Sequence, residues 1–210
     1  MVIIRHRINT IEGLKSVPTN YGVEVDIRGY GGKMLLNHDP IDDPEKYVEL
    51  EEYLKHFSHA FIIFNTKEAG YEKRIIDLAN KYRIKNYFLL DVEFPYLYHA
   101  TRKLGVREIA VRFSEAEPLE YVKAQTDSET GEPLVEWVWV DTNTQLPLDE
   151  ANIKVLGRFR TCLVCPERWG RPEDIPKYID KLKRLGFTLD AVMTTEPYVN
   201  QWVNSGVVKE

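Results

Sequence analysis

Cysteine is nearly absent from this chain of 210 residues, which contains only Cys162 and Cys165. Two cysteines cannot build the disulfide framework of a small secreted domain. Their Cys-x-x-Cys spacing occurs in metal and redox sites, but here it lies in a strand-like run at 160–165. Side chains three positions apart on a strand point to opposite faces. We therefore interpret both cysteines as ordinary packing residues.

A surplus of positive charge and a long apolar run are also missing. The chain has 28 Lys and Arg against 33 Asp and Glu, a net charge of −5, which argues against a nucleic-acid or anionic-membrane partner. No stretch approaches the ~20 apolar residues of a membrane helix. The chain opens on a strand-like run, without a basic and then apolar leader. We expect a cytoplasmic protein that acts on a small molecule, with neither nucleic acid nor membrane as partner; the sequence does not predict the number of subunits.

The length and the order of the patterns indicate one domain spanning residues 1–210, since this length fills one domain well and is short for two. Helical patterns lie at 45–55, 71–82, 96–104 and 171–185, and the connections 8–21 and 114–134 are the least regular. The alternation of these patterns with strands predicts an α/β protein, a single (β/α)8 TIM-type barrel. A short insertion after the second strand contains an extra strand near 33–37. Eight apolar, strand-like runs lie near 2–6, 22–27, 60–65, 86–92, 107–113, 135–141, 159–165 and 189–194.

Polar residues gather at the carboxyl ends of the predicted strands, where a barrel of this type carries its chemistry. Glu24 and Asp26 share one face of an otherwise apolar strand, and two buried acids are costly unless they are paired or bind a cation. Taken singly, His6 also suits a buried histidine of the core, and Glu24 and Asp26 also suit a structural ion network. Acids, histidines and cations at one rim together indicate a catalytic site. The other residues at strand ends include His6, Arg7, His38, Asn65, Lys67, Asp91, Glu93, Arg112, Asp141, Glu167 and Glu196.

Three segments in the first forty residues carry a resemblance to a known family. His6-Arg7, the run Gly-Val-Glu-Val-Asp-Ile at 22–27 and the run Gly-Lys-Met-Leu-Leu-Asn-His-Asp at 32–39 resemble the glycerophosphodiester phosphodiesterases, within the phospholipase-C-like phosphodiesterase superfamily. That family shares a His-Arg-Gly start, a Glu-x-Asp strand and a His-Asp after a further short strand. Residues 63–67 resemble its strand ending in Glu-x-Lys, and 189–197 its closing Thr-Asp-x-Pro. The likeness spans most of the chain.

The resemblance implies a (β/α)8 phosphodiesterase and gives the candidate residues roles. Hydrolysis of a phosphodiester requires neutralised charge, a deprotonated nucleophile and a protonated leaving group. The implied acid–base pair is His6 and His38, and the implied phosphate ligands are Arg7 and Lys67. The implied cofactor is a divalent cation, Mg²⁺ or Ca²⁺. Its expected ligands are Glu24, Asp26 and Asn65, and Glu93 or Asp91 on the neighbouring strand is expected to compensate for the neutral amide.

The chain departs from the family pattern in ways that leave three functions open. Asn65, a neutral amide, stands where the family has a third acid, and Ile8 stands where it has the glycine after His-Arg. One function is a metal-dependent phosphodiesterase for a small glycerol-, polyol- or sugar-linked diester. A second is a metal-independent enzyme of the phospholipase-C type that forms a cyclic phosphate. The third is a barrel that binds an anion without turnover.

Overall fold

The computed structural model describes residues 2–209. Its strands and helices alternate along the chain as the apolar patterns predict. The strands are β1 (Val2–Arg5), β2 (Gly22–Tyr30), β3 (Lys33–Leu36), β4 (Phe61–Thr66), β5 (Tyr87–Leu90), β6 (Ala110–Phe113), β7 (Trp137–Val140), β8 (Arg160–Val164) and β9 (Ala191–Thr194). The helices are α1 (Ile11–Ser16), α2 (Leu50–Leu54), α3 (Glu72–Lys81), α4 (Phe94–His99), α5 (Leu119–Lys123), α6 (Asn152–Leu156), α7 (Ile175–Leu185) and α8 (Val199–Val203).

The strands form a sheet in the order β5-β4-β2-β1-β9-β8-β7-β6, with β3 attached to β2. From β5 to β1 and from β9 to β6 the neighbouring strands are parallel, whereas β3 runs antiparallel to β2. Without β3, each strand lies beside the strand that precedes or follows it in the sequence, and the first strand, β1, lies beside the last, β9. This is the cyclic strand order of a (β/α)8 fold. The predicted α/β (β/α)8 class is confirmed, and so is the extra strand in the insertion.

One of the two compact units of the chain is formed by residues 4–94. Its strand β2 continues past the predicted end at 27 into a hairpin with β3. The two turn residues, Gly31 and Gly32, have φ values of 55° and 81°. Two-residue hairpin turns of this hand need positive φ at both positions, which glycine adopts without strain. The hairpin therefore returns the chain to the end of β2, and His38 follows it.

The other unit is formed by residues 2–3 and 95–209. Helix α7 packs Ile175, Tyr178 and Leu182 into its core and ends at Gly186, whose φ is 61°. Cys162 and Cys165 are buried thiols, which confirms that they serve packing. No helix within residues 2–209 is long and apolar enough to cross a membrane.

The predicted helices are confirmed in place, with one of them divided. The pattern at 71–82 forms α3, that at 96–104 forms the end of α4 and a π-helical turn, and that at 171–185 forms a 3-10 turn and α7. The single helix predicted at 45–55 is wrong: a 3-10 turn at Pro44–Lys46 is separated from α2 by an extended segment. There the carbonyl of Val48 accepts the N–H of Leu36, and Glu49 pairs with Leu35. Pairing with β3 satisfies backbone groups that a continuous helix would have used.

Candidate active site

The centre of the candidate site is the pair of acids on β2, within the unit formed by residues 4–94. Glu24 and Asp26 are 1% and 0% exposed, and the alternate residues of the strand, Val23, Val25 and Ile27, pack into the hydrophobic core. The predicted shared face of the two acids follows from this alternation. The register of β2 with β4 places Asn65 beside Asp26. Two carboxylates and an amide thus meet at the end of adjacent strands.

Both oxygens of Glu24 accept hydrogen bonds from the protein. Asn65 Nδ2 donates to Oε1 at 2.8 Å, and the backbone N–H of Arg7 donates to Oε2 at 2.8 Å. His6 Nε2 lies 3.9 Å from the same Oε2. Arg7 has a φ of 54°, a left-handed conformation that is uncommon outside glycine. The predicted pair His6 and Arg7 therefore lies at the acids, with the backbone of Arg7 serving Glu24.

Both oxygens of Asp26 are also occupied. Lys67 Nζ lies 3.0 Å from Oδ1, and Asn65 Nδ2 reaches the same oxygen at 3.3 Å. Asn9 donates from Nδ2 to Oδ2 at 2.9 Å, and its own Oδ1 accepts the backbone N–H of Asp26 at 2.9 Å. The sequence analysis did not single out Asn9. The sequence places it directly after His6, Arg7 and Ile8, within reach of the acids.

Glu24 carries the strongest electrostatic signature of the site. Burial, followed by the neighbouring charge of Asp26, raises the pKa of Glu24 to about 7, against the opposing effect of its donors Asn65 and Arg7 and of the Lys67 charge. The ionised form of Glu24 is thus disfavoured, because its protein donors do not fully offset burial and the neighbouring acid. Perturbed acids of this kind cluster at functional sites.

The raised pKa of Glu24 predicts that the folded state loses stability as the pH rises from 4.5 to about 7. A carboxyl group with a higher pKa in the folded than in the unfolded protein contributes stability below the unfolded pKa, and that contribution is lost through the folded pKa. The free energy of unfolding, measured by urea denaturation between about pH 5 and about pH 8, should therefore fall more steeply in the wild type than in Glu24→Gln, which cannot ionise. Equal slopes in the two proteins would contradict this.

His38 follows β3, and its ring has a different partner. Its Nδ1 lies 2.8 Å from Oδ1 of Asp39, and its side chain is 37% exposed. The hydrogen bond with His38 lowers the pKa of Asp39, as do the charges of His38, Arg7 and Arg28. The structure thus brings His6 directly to the acids, whereas it pairs His38 with Asp39 beside the two arginines.

Glu93 does not join the acid pair. Strand β5 ends at Leu90, and Asp91 takes a left-handed conformation with φ 60°. Because of this turn, Asp91 and Glu93 do not continue the alternation of β5, which would have pointed both side chains to one face. Glu93 is exposed. Within residues 2–209, no group of three or more His, Cys, Asp and Glu side chains is placed to hold a metal ion. Within these residues, a third protein ligand beside Glu24 and Asp26 would therefore be of another type, such as an amide or a carbonyl oxygen.

Asn65 shows that such a ligand set is chemically suited to a divalent cation. Its Nδ2 donates to one oxygen of Glu24 and one of Asp26, so oxygens of both acids already converge on a single atom. Its Oδ1 is buried and has no hydrogen-bond partner among the described residues. Exchange of the amide nitrogen and oxygen would turn that oxygen towards the acids. Two carboxylates and an amide oxygen are donors that Mg²⁺ and Ca²⁺ prefer.

Comparison with known proteins gives likenesses of structure alone. No protein-family model and no curated protein matches the chain. A provisionally named glycerophosphoryl diester phosphodiesterase from Agrobacterium tumefaciens has a TM-score of 0.65 at 13% identity, with 97% of each chain covered. A glycerophosphoryl diester phosphodiesterase from Parabacteroides distasonis has a TM-score of 0.62 at 14% identity and covers 100% of this chain and 88% of its own.

A third solved structure, a glycerophosphodiester phosphodiesterase from Agrobacterium tumefaciens, has a TM-score of 0.59 at 13% identity and covers 92% of this chain and 96% of its own. At such identities the likeness establishes a common fold. The three proteins carry the name of the family that the sequence motifs resemble, and the resemblance is confirmed at the level of the fold.

Proposed function

We propose that the protein is a phosphodiesterase that hydrolyses a small glycerol-, polyol- or sugar-linked phosphodiester. The observation that carries the proposal is the buried Glu24–Asp26 pair on β2, with an imidazole 3.9 Å from one acid and an ammonium 3.0 Å from the other. The fold is shared with three structures named as glycerophosphodiester phosphodiesterases. The net charge of −5 and the small-molecule substrate also lead us to propose action in the cytoplasm, away from nucleic acid and membranes.

In this proposal the two histidines move the protons. Water attacks phosphorus, and the bond to the leaving alkoxide breaks as the alkoxide takes up a proton. One of His6 and His38 removes the proton from water, and the other supplies the proton to the alkoxide. The Nδ1 of His38 faces Asp39, which leaves Nε2 for proton transfer. Arg7 and Lys67 hold the non-bridging phosphate oxygens by their charge.

We further propose that Glu24, Asp26 and Asn65 hold Mg²⁺ or Ca²⁺, on the strength of the converging oxygens and the unpartnered amide oxygen of Asn65. When bound, the cation supplies positive charge that neutralises the phosphate. Glu93 has no part in this proposal because it is exposed beyond the left-handed turn at Asp91.

A metal-independent mechanism is the second candidate, favoured by one specific observation. Every oxygen of the acid pair already accepts from a protein donor: Asn65 and the Arg7 backbone at Glu24, and Lys67, Asn65 and Asn9 at Asp26. In this case Lys67 supplies the local positive charge. One of His6 and His38 removes the proton from a substrate hydroxyl group beside the phosphate, and that oxygen attacks phosphorus. The bond to the leaving alkoxide breaks as the other histidine protonates it, and the products are a cyclic phosphate and an alcohol.

The experiment follows a glycerol phosphodiester with a hydroxyl group beside the phosphate by ³¹P NMR, with chelator, Mg²⁺ or Ca²⁺ present. We expect a linear phosphomonoester that forms with Mg²⁺ or Ca²⁺ and is lost on chelation. A cyclic phosphate that forms in the presence of chelator would establish the second candidate. The absence of any product under all three conditions would overturn both, and would leave a barrel that binds anions.

A further inference from the structure

The guanidinium of Arg28, near the end of β2, donates hydrogen bonds from all three of its nitrogens to two partners. Its Nε and Nη2 donate to the backbone carbonyl of His38 at 3.2 and 2.8 Å, and its Nη1 donates to Oε1 of Glu68 at 2.9 Å. The Arg28 side chain is 19% exposed. Each of its three nitrogens thus donates one hydrogen bond within the protein.

Glu68 fixes the arginine from the end of β4. One of its oxygens accepts from Arg28, and the other accepts the backbone N–H of Gly29. The carboxylate thus joins the Arg28 side chain to the backbone of the next residue. A guanidinium held in this way has little rotamer freedom, and its planar set of donors defines where the accepting carbonyl must lie.

The segment that carries His38 is held at each of its residues. The backbone N–H of Asn37 donates to the carbonyl of Asp26 at 3.1 Å, and Asn37 Nδ2 donates to the carbonyl of Asp39 at 2.9 Å. Arg28 supplies the link at His38 itself. The ring of His38 depends on this backbone for its position, because its side-chain partner Asp39 is the next residue in the same segment and is itself exposed.

We propose that Arg28, oriented by Glu68, is a positioning residue that sets the place of the His38 imidazole and, through it, the hydrogen bond to Asp39 that fixes the tautomer of the ring. The inference rests on the proposed function, in which His38 transfers a proton. It goes beyond that function by assigning a positioning role to the Arg28–Glu68 ion pair, whose hydrogen bonds are made to each other and to the backbone of His38 and Gly29. Loss of the pair leaves the imidazole attached but no longer held in one geometry.

The test compares Arg28→Gln with Arg74→Gln. Arg74 is a matched control, since its Nη1 donates at 2.8 Å to the carbonyl of Gly32 in the same β2–β3 hairpin, away from His38. Misplacement of a catalytic group by about 1 Å costs roughly 10²-fold in rate. We expect Arg28→Gln to lower kcat for the glycerol phosphodiester by about this factor with KM nearly unchanged, and to shift the pH profile. Arg74→Gln should leave both constants and the profile unchanged.

A second readout does not depend on turnover. In ¹⁵N NMR of the imidazole, the wild type should show His38 with its proton on Nδ1, and Arg28→Gln should show mixed tautomers. An unchanged kcat together with an unchanged tautomer would overturn the inference, and so would a loss confined to KM, which would make Arg28 a substrate ligand. Glu68→Gln gives the same readouts should Arg28→Gln fail to fold. A wild type without turnover refutes the proposed function alone, because the tautomer still decides the role of Arg28.

Discussion

His6→Ala is expected to lower kcat for the phosphodiester by about 10²–10⁴-fold, the usual contribution of general acid–base catalysis by a positioned side chain. The imidazole lies 3.9 Å from Glu24 and is mostly buried, so that alanine leaves no group in its place to exchange a proton. His38→Ala should have a loss of similar size because the two rings serve the two ends of one displacement. Steady-state kinetics on the glycerol phosphodiester measures both losses.

His56→Ala is the control for these substitutions. His56 is exposed at the end of α2, where its Nε2 lies 3.6 Å from Glu52 one helical turn earlier. Its removal should change neither kcat nor KM, and circular dichroism should show all three variants folded. Turnover at the wild-type rate in folded His6→Ala or His38→Ala would exclude that histidine from the chemistry.

Asn65→Asp is expected to lower the free energy of unfolding by about 3–5 kcal/mol in chelator, the cost typical of a buried charge without a partner. The substitution removes the amide that donates to Glu24 and Asp26 and puts a third carboxylate in its place. Mg²⁺ or Ca²⁺ should restore the stability, because three acids and a cation compensate one another. The cation should also bind at least about tenfold more tightly than to the wild type, since affinity rises with the charge of the ligand set.

Thermal unfolding with and without cation, together with calorimetric titration of the cation, measures both effects. Asn20→Asp provides the comparison, because this substitution makes the same change of charge at a residue that is exposed in the turn before β2. It should leave stability and cation binding at wild-type values. An Asn65→Asp protein that is as stable as the wild type in chelator, and indifferent to either cation, would refute the proposed cation ligands.

The sequence predicts much of the fold because its signals are periodic and local. Parallel strands buried on both faces are continuous apolar runs, such as 61–66 on β4, and such runs stand out between helical patterns. The break in the helix predicted at 45–55 lay beyond this approach. It depends on Val48 and Glu49 pairing with β3, a contact between segments about a dozen residues apart that no local pattern encodes.

The candidate site was predictable where residues follow strand alternation. Glu24 and Asp26 share a face for that reason, and the parallel register carries Asn65 to them. The expected place of Glu93 beside the acids could not be derived in this way, because the left-handed residue Asp91 ends the alternation of β5. The roles of Arg28 and Glu68 were not predicted, because Arg28 contacts His38 through a backbone carbonyl and Glu68 acts only through Arg28. Residue types do not show which backbone carbonyl accepts a hydrogen bond.

The amide of Asn65 donating to two acids also has a consequence for how such a site changes over generations. Asparagine and aspartate codons differ by one transition at the first base. A single nucleotide change therefore separates a pocket in which amide and ammonium groups contact the acids from one with a third acid, for which we expect a bound cation. Chains with this barrel can change the way the buried negative charge is neutralised without altering any strand or loop.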